Sequence, residues 1–332
     1  MKHNTLKDIA KKLKISASTV SRALSNHPDI SEETRIKVKT LADKLNYSPN
    51  PIAQSLKSNK TTTIGVIVPE IKHDFFSSAI SGIEDVAYQS GYTILLSQSN
   101  ESFEREVVNT NALMRHRVAG VIVSISQNTK NSDHFKLLLD RSIPLVFFDR
   151  ACDDIEADKV IIDDEKSAYE AVMHLINKGY KNIAHLAGPK ELGVCKNRLQ
   201  GYLSAIKSSK QNEFILYGGM HEDDGFRLMD LLITENNLPD AIFCVNDPVA
   251  MGAYQRIMEA GLQIPKDIGI VGFSNNKITN MVIPKITTVD QPSFEMGKKA
   301  AEILIDLIEN PPKKIKPKTV VLNTSLIVRS ST

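Results

Sequence analysis

Apolar positions near the N-terminus follow the spacing of two short amphipathic helices joined by a tight turn. The first stripe recurs with a period of 3.6 residues and consists of Leu6, Ile9, Ala10 and Leu13. Ser16 stands where a helix N-cap belongs, and Val20 and Leu24 would bury one face of the helix that follows. The pattern predicts a helix-turn-helix, although an ordinary helical hairpin with solvated outer residues fits the same periodicity.

From residue 62 onwards, apolar runs of strand length alternate with amphipathic stretches of helix length. The strand-like runs are 64–68, 92–97, 120–125, 145–148, 160–162, 183–187, 214–217, 241–245 and 268–273. The helical stretches between them include 77–89, 166–178, 248–260 and 294–308. Near-continuous apolar strands that alternate with helices indicate parallel sheets covered on both faces. These strands are too many for one small sheet, so we expect an α/β body of two doubly wound subdomains, as in periplasmic sugar-binding proteins.

The pattern divides the chain into three regions. An all-α helix-turn-helix head occupies residues 1–49, a hinge helix and linker occupies 50–61, and the α/β body occupies 62–332. Asn50 as N-cap and Pro51 at the first helical position favour a helix start in the hinge. Only two turns are available there, and so short a helix is not stable alone in water. We therefore expect the hinge to fold only when a partner holds it.

The charge of the chain is distributed unevenly. Residues 1–60 contain 12 Lys and Arg against five Asp and Glu, which gives this segment +7 in a chain of net charge +2 and leaves −5 for the remainder. A basic head on an acidic body is the electrostatic footprint of a phosphate-rich partner. Lysines on solvated helices would produce the same balance.

Composition argues against several other classes of protein. No apolar run is long enough to span a membrane, and the N-terminus lacks the apolar segment of a signal peptide. The three scattered cysteines indicate reduced thiols of a cytoplasmic protein; they are Cys152, Cys195 and Cys244. The motifs GxGxxG, GxxxxGK[ST] and GxSxG are missing, and the histidines are dispersed along the chain. We therefore expect no catalytic site, no cofactor and no metal site.

Several stretches together resemble one family of bacterial regulators. They are TLKDIAKKLKISASTVSRALS (5–25), SEETRIKVKTLADKLNYSPNPIAQSLKS (31–58), TTTIGVIVPE (61–70), NRLQGY (197–202), NDPVAMGA (246–253) and TTVDQP (287–292). Through them nearly the whole chain resembles the LacI, or lactose repressor-like, family of transcription regulators. The resemblance implies a sequence-specific DNA-binding regulator, a repressor, whose operator affinity is gated by a small-molecule effector bound between the two subdomains.

The resemblance also implies where the subdomains begin and end. In the family the chain crosses between the two subdomains three times. One subdomain then comprises about 62–161 plus 291–320, and the other about 162–290 plus 321–332.

The head departs from the family pattern at one position, because Lys14 occupies a turn position at which family members often carry Gly. Lys can adopt the positive φ that is convenient there at a cost of about 1 kcal/mol.

The outer face of the second predicted helix is where base edges would be read. Arg22 is the candidate for a bidentate contact to guanine, Ala17 could meet a thymine methyl group, and Ser18 could bond to either edge. The remaining candidate DNA contacts of the head are Thr5, Leu6, Thr19, Ser21, Thr34 and Tyr47. Except for Leu6, which has no hydroxyl group, these residues would bind phosphates through their hydroxyls and fix the register of the head on the duplex rather than its sequence preference.

The hinge contributes three further candidate DNA contacts, Asn50, Ala53 and Leu56. Ala53 and Leu56 match the family residues that face the minor groove. Leu56 matches the apolar wedge that is inserted between base pairs and kinks the duplex. The alternative is that Leu56 covers the hydrophobic edge of the body.

Ligands of doubly wound sheets bind beyond the carboxyl ends of the strands. The candidate effector contacts on this ground, or by the resemblance, are Phe75, Phe76, Asp149, Arg198, Asn246 and Ser274. Phe75 and Phe76 match the family's aromatic pair, with core packing as the alternative. Asp149 could accept hydrogen bonds from hydroxyl groups of the ligand, or it could form salt bridges with the neighbours of Arg150. Arg198 projects into the cleft in the family, and its planar fork can bind two adjacent oxygens.

The last two candidate effector contacts are Asn246 and Ser274. Asn246 offers a donor and an acceptor together, which suits hydroxyl groups, whereas Asp247 is expected to be the N-cap of the helix opened by Pro248. Ser274 stands where many sugar-responsive members carry Asp, so a carboxylate that would chelate two hydroxyls is missing. A carbohydrate-like effector remains the expectation, but a simple neutral sugar is less well supported.

The expected partners follow from the resemblance. They are a near-palindromic double-stranded operator, a small-molecule effector and a second copy of the chain; no membrane is involved. The chain ends without a leucine heptad, so we expect a homodimer rather than the tetramer of the lactose repressor. A transporter's solute-binding protein would suit the cleft but not the basic head, and an enzyme on a doubly wound fold would need a motif that is missing. The sequence identifies neither the effector nor whether it induces or corepresses.

Overall fold

The computed structural model describes residues 5–45, 47, 61–312 and 316–332. Two compact units are present, one ending at Thr61 and the other beginning at Thr62. The predicted hinge contacts Asn50, Ala53 and Leu56 lie outside the described residues, so the hinge helix stays a prediction.

In the N-terminal unit three helices surround a small apolar core. They are α1 (Leu6–Leu13), α2 (Ala17–Leu24) and α3 (Glu32–Lys44). The buried side chains are Ile9, Ala10, Val20, Ala23, Val38 and Ala42. The first two helices confirm the predicted helix-turn-helix, whereas Leu24 is only half-buried at the edge of this core.

Local signals set the turn and the start of α2. The Ser16 hydroxyl accepts a hydrogen bond from the backbone N–H of Thr19 at 3.0 Å, which confirms the predicted N-cap. Lys14 follows α1 in the left-handed conformation, with φ at 55° and ψ at 38°. The turn therefore has the positive φ expected at this position, although the residue is not glycine.

The second unit contains two six-stranded sheets. The strands of the first sheet are β1 (Thr63–Val68), β2 (Thr93–Gln98), β3 (Val121–Val123), β4 (Leu145–Phe148), β5 (Asp158–Ile162) and β11 (Thr319–Leu322). Those of the second are β6 (Ile183–Ala187), β7 (Ile215–Tyr217), β8 (Ala241–Cys244), β9 (Gly269–Ser274), β10 (Thr287–Asp290) and β12 (Ser325–Ile327). The strand orders are β11-β5-β4-β3-β1-β2 and β12-β10-β9-β8-β6-β7. All nine strand-like runs predicted from the sequence form strands, two with the predicted bounds and the others with ends that differ by at most two residues.

Helices cover both faces of each sheet. They are α4 (Asp74–Gln89), α5 (Phe103–Arg115), α6 (Asp133–Asp140), α7 (Asp164–Asn177), α8 (Gly193–Ser208), α9 (Glu222–Thr234), α10 (Asp247–Glu259) and α11 (Ser293–Glu309). On the first sheet, α4 and α11 share one apolar core, and α5 and α6 pack on the other face. On the second sheet, α7 and α8 cover one face, and α9 and α10 cover the other. Among the described residues, none of the helices combines the length and the apolar character that crossing a bilayer requires.

One strand departs from the expected parallel arrangement. β12 pairs with β10 in the antiparallel direction, whereas every other strand pair is parallel. The reason is geometric, because the carboxyl ends of both sheets face a common cleft. A chain that leaves the end of β11 and enters the second sheet two residues later must run against the strands of that sheet.

The packing of α4 against α11 depends on a close approach of their backbones. A Cβ atom placed on Gly82 would lie 2.1 Å from the carbonyl oxygen of Phe294, and one on Gly297 would lie 2.0 Å from that of Ala79. Neither contact is possible without moving a helix, since the clashing atoms belong to backbones. By contrast, a Cβ atom placed on Gly193, at the start of α8, would have no heavy atom of another residue within 4 Å.

Gly82→Ala should therefore destabilise the second unit. Separating two packed helices to admit a methyl group costs about 1–3 kcal/mol, and this exceeds the gain in helix propensity of about 1 kcal/mol. The free energy of unfolding in urea, followed by circular dichroism, measures the loss. Gly193→Ala is the matched control and should leave the unfolding midpoint unchanged or slightly raised. Equal midpoints for the two variants would contradict the proposed backbone contact.

Candidate DNA interface and ligand cleft

The outer face of α2 presents the predicted base-reading residues to solvent. Ala17, Ser18 and Arg22 are exposed, and Ser21 and Thr19 are half-buried. The hydroxyl of Ser18 lies 2.7 Å from that of Ser16, so it shares in the cap of the helix. Within the described part of the chain, the Arg22 side chain takes part in no ion pair or hydrogen bond; only its backbone carbonyl is used, by the Ser25 hydroxyl and the His27 N–H. The guanidinium is therefore available to a partner.

Of the other predicted DNA contacts of the head, two lie at the starts of helices and two pack against the core. Thr5 and Thr34 lie at the starts of α1 and α3, where Thr5 bonds to Asp8 and the Thr34 hydroxyl lies 2.9 Å from that of Ser31. Leu6 and Tyr47 instead pack against the core of the head, and burial raises the pKa of the Tyr47 phenol. Leu6 can therefore offer a phosphate only its backbone N–H at the first turn of a helix.

In the second unit, the six predicted effector contacts line one cavity between the sheets. Its volume is about 50 Å³. The lining is formed by the predicted Phe75, Phe76, Asp149, Arg198, Asn246 and Ser274, together with His73, Glu101, Arg150, Val194, Met220, His221, Pro248, Asn276 and Gln291. These residues follow the carboxyl ends of strands in both sheets, as the doubly wound fold requires.

Arg198 is fixed by the protein itself. Its Nε donates to the Asp164 carboxylate at 2.8 Å, its Nη1 donates to the carbonyl oxygen of Val245 at 2.7 Å, and its Cζ lies 3.7 Å from the centre of the Phe273 ring. The side chain is only 3% exposed. The described residues give Nη2 no partner, so this nitrogen is the one that remains for a ligand. Burial raises the pKa of Asp164 to about 6, although the Arg198 charge opposes the shift.

A second buried charge cluster in the cavity lining consists of Asp149, Arg150 and Glu101, of which only Glu101 was not foreseen from the sequence. Arg150 donates from Nη1 to Glu101 at 2.8 Å and has its Nε 3.7 Å from the Asp149 carboxylate. Asp149 therefore pairs with Arg150 while lining the cavity, and burial raises its pKa. Glu101 and Arg150 are 49 residues apart and follow different strands, so no local pattern connects them.

The aromatic pair belongs both to the cavity and to the core. Phe75 and Phe76 meet edge to face with ring centres 5.1 Å apart, and both are buried in the apolar cluster beneath the first sheet. Phe76 also meets Phe148 edge to face and lies beneath the Arg150 guanidinium. The two alternatives raised by the sequence are therefore combined, since each ring packs in the core and lines the cavity.

Asn246 lines the cavity as predicted, but it also takes the helix-capping role that was expected of Asp247. Asn246 is the N-cap of α10, because its Oδ1 accepts from the Val249 N–H at 2.9 Å while its Nδ2 donates to the Met220 carbonyl. The prediction that Asp247 caps this helix was wrong. Asp247 is fully buried and accepts hydrogen bonds from the Asn276 N–H and the Thr288 hydroxyl, each at 2.7 Å.

Ser274 occupies a conformation that side chains rarely adopt, with φ at 119°. Its hydroxyl donates to Oε1 of Gln291 at 2.7 Å. Gln291, which follows β10 and lines the cavity, was not predicted from the sequence because β10 itself was not recognised as a strand. Ser274 thus reaches the cavity, but its hydroxyl is occupied by a protein partner.

Three possible metal ligands meet beside this cavity, contrary to the expectation of dispersed histidines. Glu70, His73 and His221 place one ligand atom each within 4.8 Å of the others. Glu70 and His73 follow β1, whereas His221 precedes α9 on the other subdomain. The sequence offered only the spacing of Glu70 and His73, since His221 is brought in by the fold.

The buried Asp247 generates a prediction about pH. Burial raises its pKa to about 6, against hydrogen bonds that lower it, whereas the unfolded chain has an Asp pKa of about 3.9. Its stabilising contribution is thus fully present below about pH 4 and is lost as pH rises through about 6. Asp247→Asn removes this dependence, so the stability of the variant relative to the parent should rise by about 3 kcal/mol from pH 4 to pH 7. Urea denaturation at each pH measures this; a change of the same size in the exposed Asp223→Asn would contradict it.

Comparisons with known proteins match both units. A model of bacterial regulatory proteins of the lacI family matches residues 5–50, and a model of a periplasmic binding protein-like domain matches residues 172–332. The HTH-type transcriptional repressor PurR of Vibrio vulnificus (strain CMCP6) is 34% identical over 332 residues, which cover 98% of each chain. The ribose operon repressor of Haemophilus influenzae is 32% identical over 330 residues, again 98% of each chain.

A solved structure gives the same result at the level of the fold. The lac repressor dimer bound to operator and the anti-inducer ONPF matches with a TM-score of 0.87, at 26% identity and over 99% of both chains. Relatives of this identity and coverage, together with the helix-turn-helix head and the two-sheet body, show that the chain belongs to the LacI family of bacterial regulatory proteins and is a DNA-binding transcriptional regulator with an effector-binding domain.

Proposed function

We propose that this regulator represses transcription by binding a near-palindromic operator as a homodimer, and that an effector in the cavity between its sheets controls the affinity. The observation that carries the proposal is the exposed face of α2, where small residues surround an unpaired Arg22. Two relatives named as repressors and the operator-bound lac repressor dimer support the same function.

Arg22 is the residue that would read sequence. Its side chain stands on the solvent face of α2, five residues after Ala17 and four after Ser18, so the three lie within two turns of one helix. A helix of this size enters the major groove, where a guanidinium can bond to both acceptors of guanine. The hydroxyl groups at the starts of α1 and α3 would bind phosphates on either side.

The cavity favours a small ligand rich in hydroxyl groups over a strongly charged one. It combines carboxylates, at Asp149 and Glu101, with guanidinium groups, at Arg150 and Arg198, and these already neutralise one another. Donors and acceptors at buried, fixed positions suit hydroxyls, which can both donate and accept. We infer a carbohydrate-like effector, consistent with the ribose operon repressor among the relatives.

The size of the cavity connects ligand binding to a change of conformation. A volume of about 50 Å³ holds a few water molecules, whereas ligand sites usually have about 300–1,000 Å³. An effector the size of a sugar can bind only if the two sheets move apart at the cleft. The effector would then favour a different subdomain arrangement, and so bias the hinge, by its difference in affinity for the two states.

The proposed function also bears on where the protein acts and on whether it is an enzyme. A repressor acts where its operator lies, so we place the protein in the cytoplasm, at the nucleoid. We assign it no catalytic activity, since binding to DNA and to an effector accounts for the residues of both candidate sites.

The DNA-binding proposal predicts a defined role for Arg22. Selection of the full chain against random duplexes, followed by sequencing, should recover a near-palindrome. Arg22→Ala should weaken binding to it by about 1–3 kcal/mol, or roughly 5- to 150-fold, in fluorescence anisotropy at one salt concentration. The control Lys39→Ala removes an exposed charge of α3 and should weaken specific and random DNA alike. Recovery of sequence-blind binding alone, with R22A unchanged, would refute the assignment.

The effector proposal predicts a ligand-induced thermal shift that depends on Arg198. Pentoses, hexoses and nucleosides are screened for those that raise the Tm of the full chain. Arg198→Gln should abolish the shift, because the ligand would lose a charged donor worth about 1.5–3 kcal/mol. Lys196→Gln, an exposed neighbour on α8, is the control and should retain it. A ligand-induced rise in Tm that survives in R198Q would place the effector elsewhere. Because R198Q is expected to have a lower Tm without ligand, only the rise in Tm on adding ligand is compared between the variants.

A further inference from the structure

We propose that Glu70, His73 and His221 form a binding site for a divalent transition-metal cation, with Zn²⁺ as the probe, at the entrance of the cleft. This site goes beyond the proposed regulation by an effector, because it uses none of the six predicted effector contacts. Its ligands come from both subdomains, so a bound cation would hold the two together.

The geometry is close to that of a coordination sphere. The Nε2 atom of His73 lies 2.5 Å from Oε2 of Glu70, and Nδ1 of His221 lies 3.6 Å from the same oxygen. The two imidazole rings are stacked, with centres 5.8 Å apart and an angle of 19° between their planes. Zinc bonds of about 2.0–2.1 Å in a tetrahedron separate neighbouring ligand atoms by about 3.3 Å. Small rotations of the three side chains would therefore suffice.

The chemistry of the three groups points to the borderline metals rather than to Ca²⁺ or Mg²⁺. Two imidazoles and one carboxylate are ligands of Zn²⁺ and of other late divalent ions, whereas oxygen-only sets suit the harder cations. Three protein ligands leave a coordination position for water or for an atom of a ligand in the cleft.

An unsatisfied buried atom separates this cluster from an ordinary ion pair. Nδ1 of His221 is buried and has no hydrogen-bond partner among the described residues. Buried side-chain nitrogens are nearly always bonded, and one that is not calls for an explanation such as an ion. Glu70, whose residue is 7% exposed, is likewise directed to the two imidazoles rather than to solvent.

The local charges limit the strength of binding without preventing it. Lys72 approaches the other oxygen of Glu70 at 3.6 Å, but its side chain is 66% exposed and can turn away. His73 and His221 each precede the first turn of a helix, where the partial positive charge disfavours a cation. We therefore expect a Kd on the order of 1–10 µM rather than the tighter binding of a structural zinc site.

The position of the site gives it a consequence. His73 lines both the inner cavity and a wider recess of about 640 Å³ that opens to solvent, so the cluster stands between them. A cation bound there would close this route and stabilise the arrangement in which the subdomains are close. It would thereby oppose an effector that needs the cleft to open.

Titration calorimetry of the full chain, free of any affinity tag, with Zn²⁺ tests the site. One ion should bind per chain, and the Tm should rise by about 5 °C when free Zn²⁺ is about 100-fold above Kd. His73→Asn and His221→Asn keep a polar side chain at each helix start but remove the ligand, and each should raise Kd at least tenfold. His116→Ala, which removes an exposed histidine far from the cluster in sequence, is the control and should bind as the parent does.

Three outcomes would overturn the proposal. The first is an absence of Zn²⁺ binding by the parent chain in this concentration range. The second is binding that persists unchanged in both H73N and H221N, which would locate the ion elsewhere. The third is a loss of Zn²⁺ binding in only one of these two variants, because a site that bridges the subdomains needs both histidines.

Discussion

A buried guanidinium, that of Arg198, is the interaction on which the geometry of the cleft depends. It joins Asp164, the first residue of the helix after the crossing strand β5, to the carbonyl oxygen of Val245 at the end of β8. The chain segment that leaves the first subdomain is thus tied to the central strands of the second. Removing one partner of such a buried pair costs about 3–5 kcal/mol, because the other charge stays desolvated. The pair is therefore better understood as a constraint on position than as a source of stability.

The same constraint determines what the cavity can recognise. Because Arg198 is already bonded at two nitrogens and Arg150 is bonded to Glu101, neither guanidinium is an uncompensated positive charge. An anionic effector would have to compete with Asp164 and Glu101 for these donors. A hydroxyl group needs no such exchange, since it can accept from a remaining N–H and donate to a carboxylate. The buried charges thus act as fixed dipoles rather than as a site for one sign of charge.

Local chemistry allowed prediction of the elements from the sequence, and long-range pairing limited prediction of the site. Caps and periodicity located α1, α2 and nine strands, and the turn at Lys14 has the expected positive φ. That Asn246 rather than Asp247 caps α10 could not be foreseen, because both residue types cap helices and only the neighbours at 276 and 288 distinguish them. Glu101 and Arg150 meet because β2 and β4 end at the same edge of the first sheet, and Glu70 meets His221 only because the chain crosses to the second sheet. β10, β11 and β12 were missed because their runs are only three or four residues long and partly polar.

The contacts that hold the cleft closed are few and weak enough for a small ligand to reverse them. Across it, the Lys277 N–H donates to the Asp74 carboxylate at 2.9 Å, and His221 lies 3.6 Å from Glu70. A net hydrogen bond contributes about 0.5–1.5 kcal/mol, and a polar contact as long as that between His221 and Glu70 contributes less. A ligand with micromolar affinity for the open state provides about 8 kcal/mol at 1 M. Even at concentrations only tenfold above its Kd it contributes about 1.4 kcal/mol of linkage, comparable to either contact. The closed cleft is therefore balanced within the range that a metabolite can shift, and an additional bond between the two subdomains would change the concentration at which the shift occurs.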